Sequence, residues 1–171
     1  MAIALPKQLP LVTLPARTGL WRVHRKELDA LWFGPDRTRP PAGRFAAPGH
    51  EFGVCYFGDC LEVAVLETIV RSRTLPIVEQ ADLEARAVTQ LTSTGDLRML
   101  RFEGAGLPVL RVSAGQTHAE PYRECQQMAL ALHDGHPDVD GIQYRSRWDN
   151  SRLCWAVFDR AAGKLSLPGS V

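Results

Sequence analysis

The sequence predicts one α+β domain, with a mixed or antiparallel strand-rich sheet at its core and helices on its flanks. Three observations carry that expectation. The chain has 171 residues, which at about 150 residues per domain allows a single compact unit over residues 1–171. Hydrophobic residues make up 45% and charged residues 23%, the balance of a protein that can bury a core. Segments of strand character outnumber helical ones and do not alternate with them regularly, as a doubly wound parallel fold would require.

In chain order, Leu20 to His24 (LWRVH) alternates as a strand, with Arg22 and His24 on one face and Trp21 and Val23 on the other. Gly34 to Gly49 is rich in Pro, Gly and Arg, which excludes a helix or interior strand and marks a loop of the length that often carries function. Gly53 to Phe57 reads as a second strand, Cys55 and Phe57 facing one way and Val54 and Tyr56 the other. A helix follows from Cys60 to about Ser72, with Asp59 as N-cap and Glu62 completing a capping box. Glu67 lies at the margin of its apolar surface, where an ordinary i,i+4 pair with Arg71 would contribute about 0.3–0.5 kcal/mol. Arg86 to Val112 reads as two or three strands (AVTQL, RMLRF, PVLRV), and Pro121 to His133 as a second helix. Gly141 to Tyr144 and Leu153 to Phe158 close the sheet, with Lys164 to Leu167 as an additional short strand.

The same sequence excludes several classes of function. Twenty basic residues against 19 acidic ones give a net charge of +1, which disfavours coating of nucleic acid or of an anionic membrane. No apolar run approaches the ~20 residues of a bilayer span, and Pro6 and Pro10 interrupt any signal-peptide core, so a cytoplasmic location is expected. Cys55, Cys60, Cys125 and Cys154 form no C-x-x-C pair and sit in apolar surroundings, so they read as buried hydrophobes and no metal is expected. Phosphate-loop, dinucleotide-fingerprint, zinc-protease and nucleophile-elbow motifs are absent.

What remains is a set of polar residues on strand and helix patterns: Arg22, His24, Arg44, Tyr56, Glu67 and the run Tyr144-Arg145-Ser146-Arg147. Taken singly, each is also compatible with a surface arginine or strand tyrosine of no special role. Taken in order, WRVHR, GRF, GVCYFGDCLEVAVLET and DVDGIQYRSRWDNSRLCWAVFDR resemble the RES-domain family over about Leu20 to Arg160. The most specific parts are the step from Tyr56 to Glu67 and the DGI-x-Y-x-SR segment. By position, the family's arginine falls on Arg44, its tyrosine on Tyr56, its glutamate on Glu67 and its serine on Ser146; Arg22 and Arg25, with Arg44, all lie near the region where a second arginine is expected.

The resemblance implies an ADP-ribosyltransferase-like fold and a bacterial toxin that attacks NAD⁺ at the nicotinamide–ribose bond. Hydrolysis, phosphorolysis and transfer of ADP-ribose to a protein all stay open. It also implies an Xre-like helix-turn-helix antitoxin, a homodimer within the complex, NAD⁺ as substrate with no separate cofactor, and no direct contact of this chain with nucleic acid. The chemistry of the residues fits. Breaking that bond leaves an oxocarbenium-like ribose, and a carboxylate at ~4 Å in an effective dielectric of ~20 stabilises it by about 4 kcal/mol, roughly a thousandfold in rate. Glu67 is the candidate. Arg44, with Arg22 or Arg147, suits the phosphates; Tyr56 suits stacking or a ribose hydrogen bond, and Ser146 suits positioning of a hydroxyl or of the carboxylate. The Gly34–Gly49 loop offers Arg37, Arg39 and Arg44 to an acidic or carboxylate-ended partner segment. Two rival readings are a metal-independent ribonuclease using His24 and His118, disfavoured by the neutral charge, and a binding module without activity.

Overall fold

In the computed structural model, which describes residues 5–34, 37–70, 78–118 and 121–168, the chain runs β1 (Leu11–Leu14), β2 (Gly19–Arg25), β3 (Val54–Gly58), α1 (Leu61–Thr68), α2 (Gln80–Glu84), β4 (Arg86–Ser93), β5 (Leu97–Phe102), α3 (Gly106–Leu110), α4 (Arg123–Gly135), β6 (Gly141–Arg145), β7 (Leu153–Phe158) and β8 (Leu165–Ser166). The strands form one mixed sheet in the order β1-β5-β6-β7-β3-β2-β4-β8, so the fold is α+β. Only β5 and β6 pair in parallel among the described strands, and their connection carries α3 and α4, the crossover a parallel pair needs.

Register sorts the central side chains. Tyr56 and Ile142 both pair with Ala156, and Tyr144 pairs with Cys154, which puts all five on one face. That face packs on α4 through Cys125, Met128, Ala129 and Leu132, spaced as one helical stripe, with Phe45, Phe102 and Phe158 filling the layer. Cys55, Phe57, Trp155 and Val157 face the other way, onto Leu20, Leu91, Leu97 and Met99. The alternation expected in β3 is therefore observed. Small residues at 154 and 156 leave room between the tyrosines of β3 and β6.

The site is opened by a parting of strands. β2 pairs with β4 along its whole length but meets β3 only at Trp21 and Gly58. Beyond that point the gap is lined by side chains, Arg22 from β2 and Tyr56 from β3. Gly58 then lets α1 begin at once, because a Cβ there would stand 2.5 Å from Val63 Cγ1 and 3.0 Å from the Ala64 nitrogen.

Four expectations are corrected. The capping box does not form: Cys60 is the N-cap of α1 without a side-chain bond, and Asp59 Oδ2 instead accepts the Leu153 amide at 3.0 Å, tying the turn to β7. α1 is described only to Thr68, and Arg71 with its expected pair to Glu67 lies outside the described residues. PVLRV is not a strand. Pro108 fits the first turn of α3, Leu107 and Leu110 turn to the core three residues apart, and Arg111 ends the helix at φ 57°. The last strand is reduced to Leu165–Ser166, because Asp159–Lys164 winds as a 3₁₀ helix. β1 and α2 were not expected; Leu11–Leu14 was hidden among prolines and the five residues of α2 bury no side chain.

Candidate active site

Glu67 sits in the last turn of α1, and its Oε1 accepts the Ser146 hydroxyl at 2.6 Å and the Arg147 amide at 2.8 Å. Both donors come from the end of β6, 79 and 80 residues away in sequence. Ser146 is 1% exposed. Its Oγ also accepts the amides of Trp148 (3.1 Å) and Asp149 (3.3 Å). With its proton on Glu67 and its lone pairs on two amides, this hydroxyl is arranged to position the carboxylate rather than to attack. Among the described residues both hydrogen bonds to Glu67 fall on Oε1, which leaves Oε2 for whatever enters the cleft.

Arg44 is 6% exposed, and its guanidinium lies 4.9 Å from the Tyr144 ring centroid and 5.7 Å from that of Tyr122. Among the described residues its Nε and Nη1 are buried without a hydrogen-bond partner. Each unmet buried donor costs about 1–3 kcal/mol, which the aromatic contacts only partly offset. Such a group is poor architecture and a good anchor for an anion. The loop that carries it is held from two sides: the Tyr56 hydroxyl accepts the Phe45 amide at 3.0 Å, and Gln126 Nε2 donates to the carbonyls of Pro41 (3.2 Å) and Gly43 (3.0 Å). Gly43 is required there, since a Cβ would overlap the Tyr56 hydroxyl. Burial pushes the Tyr56 and Tyr144 phenols well above their usual range, so both stay neutral.

Arg22 is used differently. Its Nη1 donates to the Ala30 carbonyl and its Nη2 to the Trp32 carbonyl at 2.9 Å, pinning the turn after β2. Burial lowers its pKa, with nearby Cys55 and Asp29 opposing. Arg147 donates through Nη1 to the Tyr122 hydroxyl at 2.8 Å.

Arg22, Arg44, Tyr56, Glu67 and Arg147 line one cleft of about 790 Å³, and Ser146 stands behind Glu67, within the about 300–1,000 Å³ usual for small-molecule sites. Among the described residues the cleft wall carries six arginines (Arg22, Arg25, Arg44, Arg86, Arg123 and Arg147) and one carboxylate, Glu67. His24 is also on the wall, with Nε2 3.0 Å from Thr89 Oγ1 and Nδ1 3.0 Å from the Arg25 carbonyl. The side chain of His118 lies outside the described residues, and Arg37 and Arg39 are exposed away from the lining. The sequence reading missed Trp32, Arg86, Tyr122 and Gln126. Only the polar stripe of α4, opposite its apolar one, pointed toward Gln126. Among the described residues no group of three or more His, Cys, Asp or Glu is placed to hold a metal, and no helix is long and apolar enough to cross a membrane.

An α+β fold whose cleft, among the described residues, sets a held carboxylate among several guanidiniums suits an anionic ligand. The RES domain family model matches residues 19–169, and the chain belongs to that family. The fold is similar to that of a chain in the crystal structure of the M. tuberculosis MbcT-MbcA toxin-antitoxin complex, with a TM-score of 0.72 and 19% identity over 93% of this chain and 85% of that one. A search of curated proteins finds no match.

Proposed function

We propose that this protein is the toxin of a toxin–antitoxin pair and that it cleaves the nicotinamide–ribose bond of NAD⁺ by hydrolysis or phosphorolysis, in the cytoplasm. Family membership and the likeness to a toxin–antitoxin complex support the first part. The observation that carries the second is Glu67, gripped on one oxygen by Ser146 and the Arg147 amide at the wall of an arginine-lined cleft.

As the bond breaks, nicotinamide leaves with the electron pair and the ribose carbon becomes oxocarbenium-like. Glu67 Oε2 then faces a developing positive charge from a fixed position, so little reorganisation is needed at the moment of reaction. Water or phosphate completes the exchange. Arg44, with Arg147, holds the phosphate on the nicotinamide side, and Tyr56 supplies its ring or its O–H to the ribose. His24 has both ring nitrogens engaged, which speaks against it as the base of the ribonuclease reading. An Xre-like antitoxin would silence the protein by placing an acidic segment among these arginines.

Incubation with NAD⁺, with and without phosphate, should release nicotinamide together with ADP-ribose or its 1-phosphate. A parallel incubation contains RNA. Intact NAD⁺ beside degraded RNA would overturn the reading, and modified protein in place of free ADP-ribose would redirect it to group transfer.

A further inference from the structure

The end of the cleft along β2 and β4 takes no part in the chemistry above, yet it is built to hold something. Trp32 lines it and is 39% exposed, unusual for a large aromatic side chain. Its backbone is fixed at both ends: the carbonyl accepts Arg22 Nη2 at 2.9 Å, and the amide donates to the Asp29 carbonyl at 2.9 Å. An exposed indole on an immobilised turn is a stacking platform that loses little entropy on use.

On the wall of the same cleft, Arg25 of β2 and Arg86 of β4 are directly opposed in the ladder. Like charges facing each other weaken a strand pair, and an anion shared between them removes that penalty. Arg86 is preset for this: its side chain is 14% exposed and its Nη2 and Nε rest on Asp82 Oδ1 at 3.0 and 3.4 Å. Nη1 has no partner among the described residues and is left to meet a ligand. Arg25 is more exposed, at 46%, with Glu27 at 3.6 Å.

We propose that this end is a nucleotide subsite, in which Trp32 stacks on a heteroaromatic base and Arg86, with Arg25, takes the phosphate of that half. The substrate is then a dinucleotide gripped at both ends, with the scissile bond at Glu67 and an adenylate group at Trp32. The assignment of the cut bond rests on the reading given under Proposed function; the subsite itself does not.

Steady-state kinetics with NAD⁺ and with nicotinamide mononucleotide, which keeps the same glycosidic bond but lacks the adenylate half, tests the assignment. Trp32→Ala should lower the preference for NAD⁺ over the mononucleotide about tenfold in kcat/KM, and Trp32→Phe should restore most of it. Arg86→Gln should lower it in the same direction. Calorimetric titration with AMP provides a readout independent of turnover: wild-type protein binds, and Trp32→Ala weakens binding by a similar factor. A preference within twofold of wild type in Trp32→Ala, or no binding of AMP to the wild-type protein, overturns the subsite. If neither substrate is cleaved while AMP binds in a Trp32-dependent way, the cleavage reading fails and the subsite stands.

Discussion

On one face of β6 and its continuation, Gln143 and Arg145 meet Glu103; on the other, Tyr144 and Ser146 meet Arg44 and Glu67. The first cluster is closed in charge, its carboxylate facing two arginines, although the buried Glu103 Oε2 makes no hydrogen bond. Glu103, 4% exposed, has Arg101 Nε at 2.8 Å, Arg145 Nε at 3.7 Å and Gln143 Nε2 at 3.3 Å, and Gln143 in turn accepts the Trp155 indole N–H at 3.0 Å. The second is open. Among the described residues its carboxylate meets neutral donors alone, and its buried guanidinium keeps two nitrogens without hydrogen-bond partners. A carboxylate already paired with cations has little field left for a substrate, whereas one held by neutral donors directs its charge into the cleft. The same contrast separates Arg22, spent on two backbone carbonyls, from Arg44.

The largest effect expected from this contrast is at Glu67. Glu67→Gln keeps the shape and can still accept from Ser146 and Arg147, but removes the charge, so turnover should fall roughly a thousandfold with little change in stability. Single-turnover NAD⁺ cleavage beside thermal melting checks it. Turnover within threefold of wild type would place Glu67 with the structural groups.

Glu103→Ala should do the reverse. It strands Gln143 and two arginines and should cost about 2 kcal/mol of folding stability, below the value for a fully buried pair because both arginines reach solvent. Urea denaturation reads that loss, while turnover per folded molecule should stay within about threefold. A large drop in turnover at full stability would show that the closed cluster reaches the site, through the bond from Arg145 Nη1 to the Ser151 carbonyl.

How much of this contrast the sequence could show depends on distance along the chain. Tyr56 and Glu67 belong to one strand, a tight turn and one helix, so local patterning suffices to place them near each other. Strand alternation likewise separates Arg145 from Tyr144 and Ser146, although a run of polar residues invites grouping them. The contact of Ser146 with Glu67 across 79 residues is carried by sheet order, which periodicity does not encode. Tyr122, Arg86 and Trp32 reach the cleft from three further elements, and nothing in their neighbourhoods marks them. Where local reasoning failed outright, at PVLRV, β-branched residues suggested a strand, and the spacing of Leu107 and Leu110 with Pro108 in a first turn decided for helix.

Arg44→Lys probes the open cluster more gently. Lysine keeps the charge but loses the planar fork and most of the stacking on Tyr144 and Tyr122. KM for NAD⁺ should rise about tenfold, with a smaller change in kcat, because a phosphate anchor acts on bound substrate as much as on the transition state. An unchanged KM would move the phosphate contact to Arg147, and the two unpartnered nitrogens would then be a cost the fold bears for another reason.

The smallest effect asks whether the two faces differ in their thiols as they do in their charges. Cys55, on the closed side near Arg22, is pushed by burial from 9.0 to about 12, and Cys125, on the open side near Arg44, to about 11; in each case the arginine opposes the shift without cancelling it. The faces should therefore behave alike. Both groups hold their proton more tightly in the folded chain than in the unfolded one, so above about pH 8.5 the unfolded state loses protons first and stability falls as pH rises. Each buried thiol should remove about 0.5 kcal/mol between pH 7 and 9, with the slope steepening until the folded thiols themselves titrate. Denaturation at stepped pH measures this for the wild type and for Cys55→Ala and Cys125→Ala, each of which should flatten the slope by a similar amount. The same protonation makes neither sulfur a nucleophile near neutrality, so turnover should survive brief treatment with iodoacetamide. A slope that flattens only in Cys125→Ala, together with rapid alkylation of Cys125 and loss of turnover, would mean that the open face exposes a reactive thiol as well as a carboxylate.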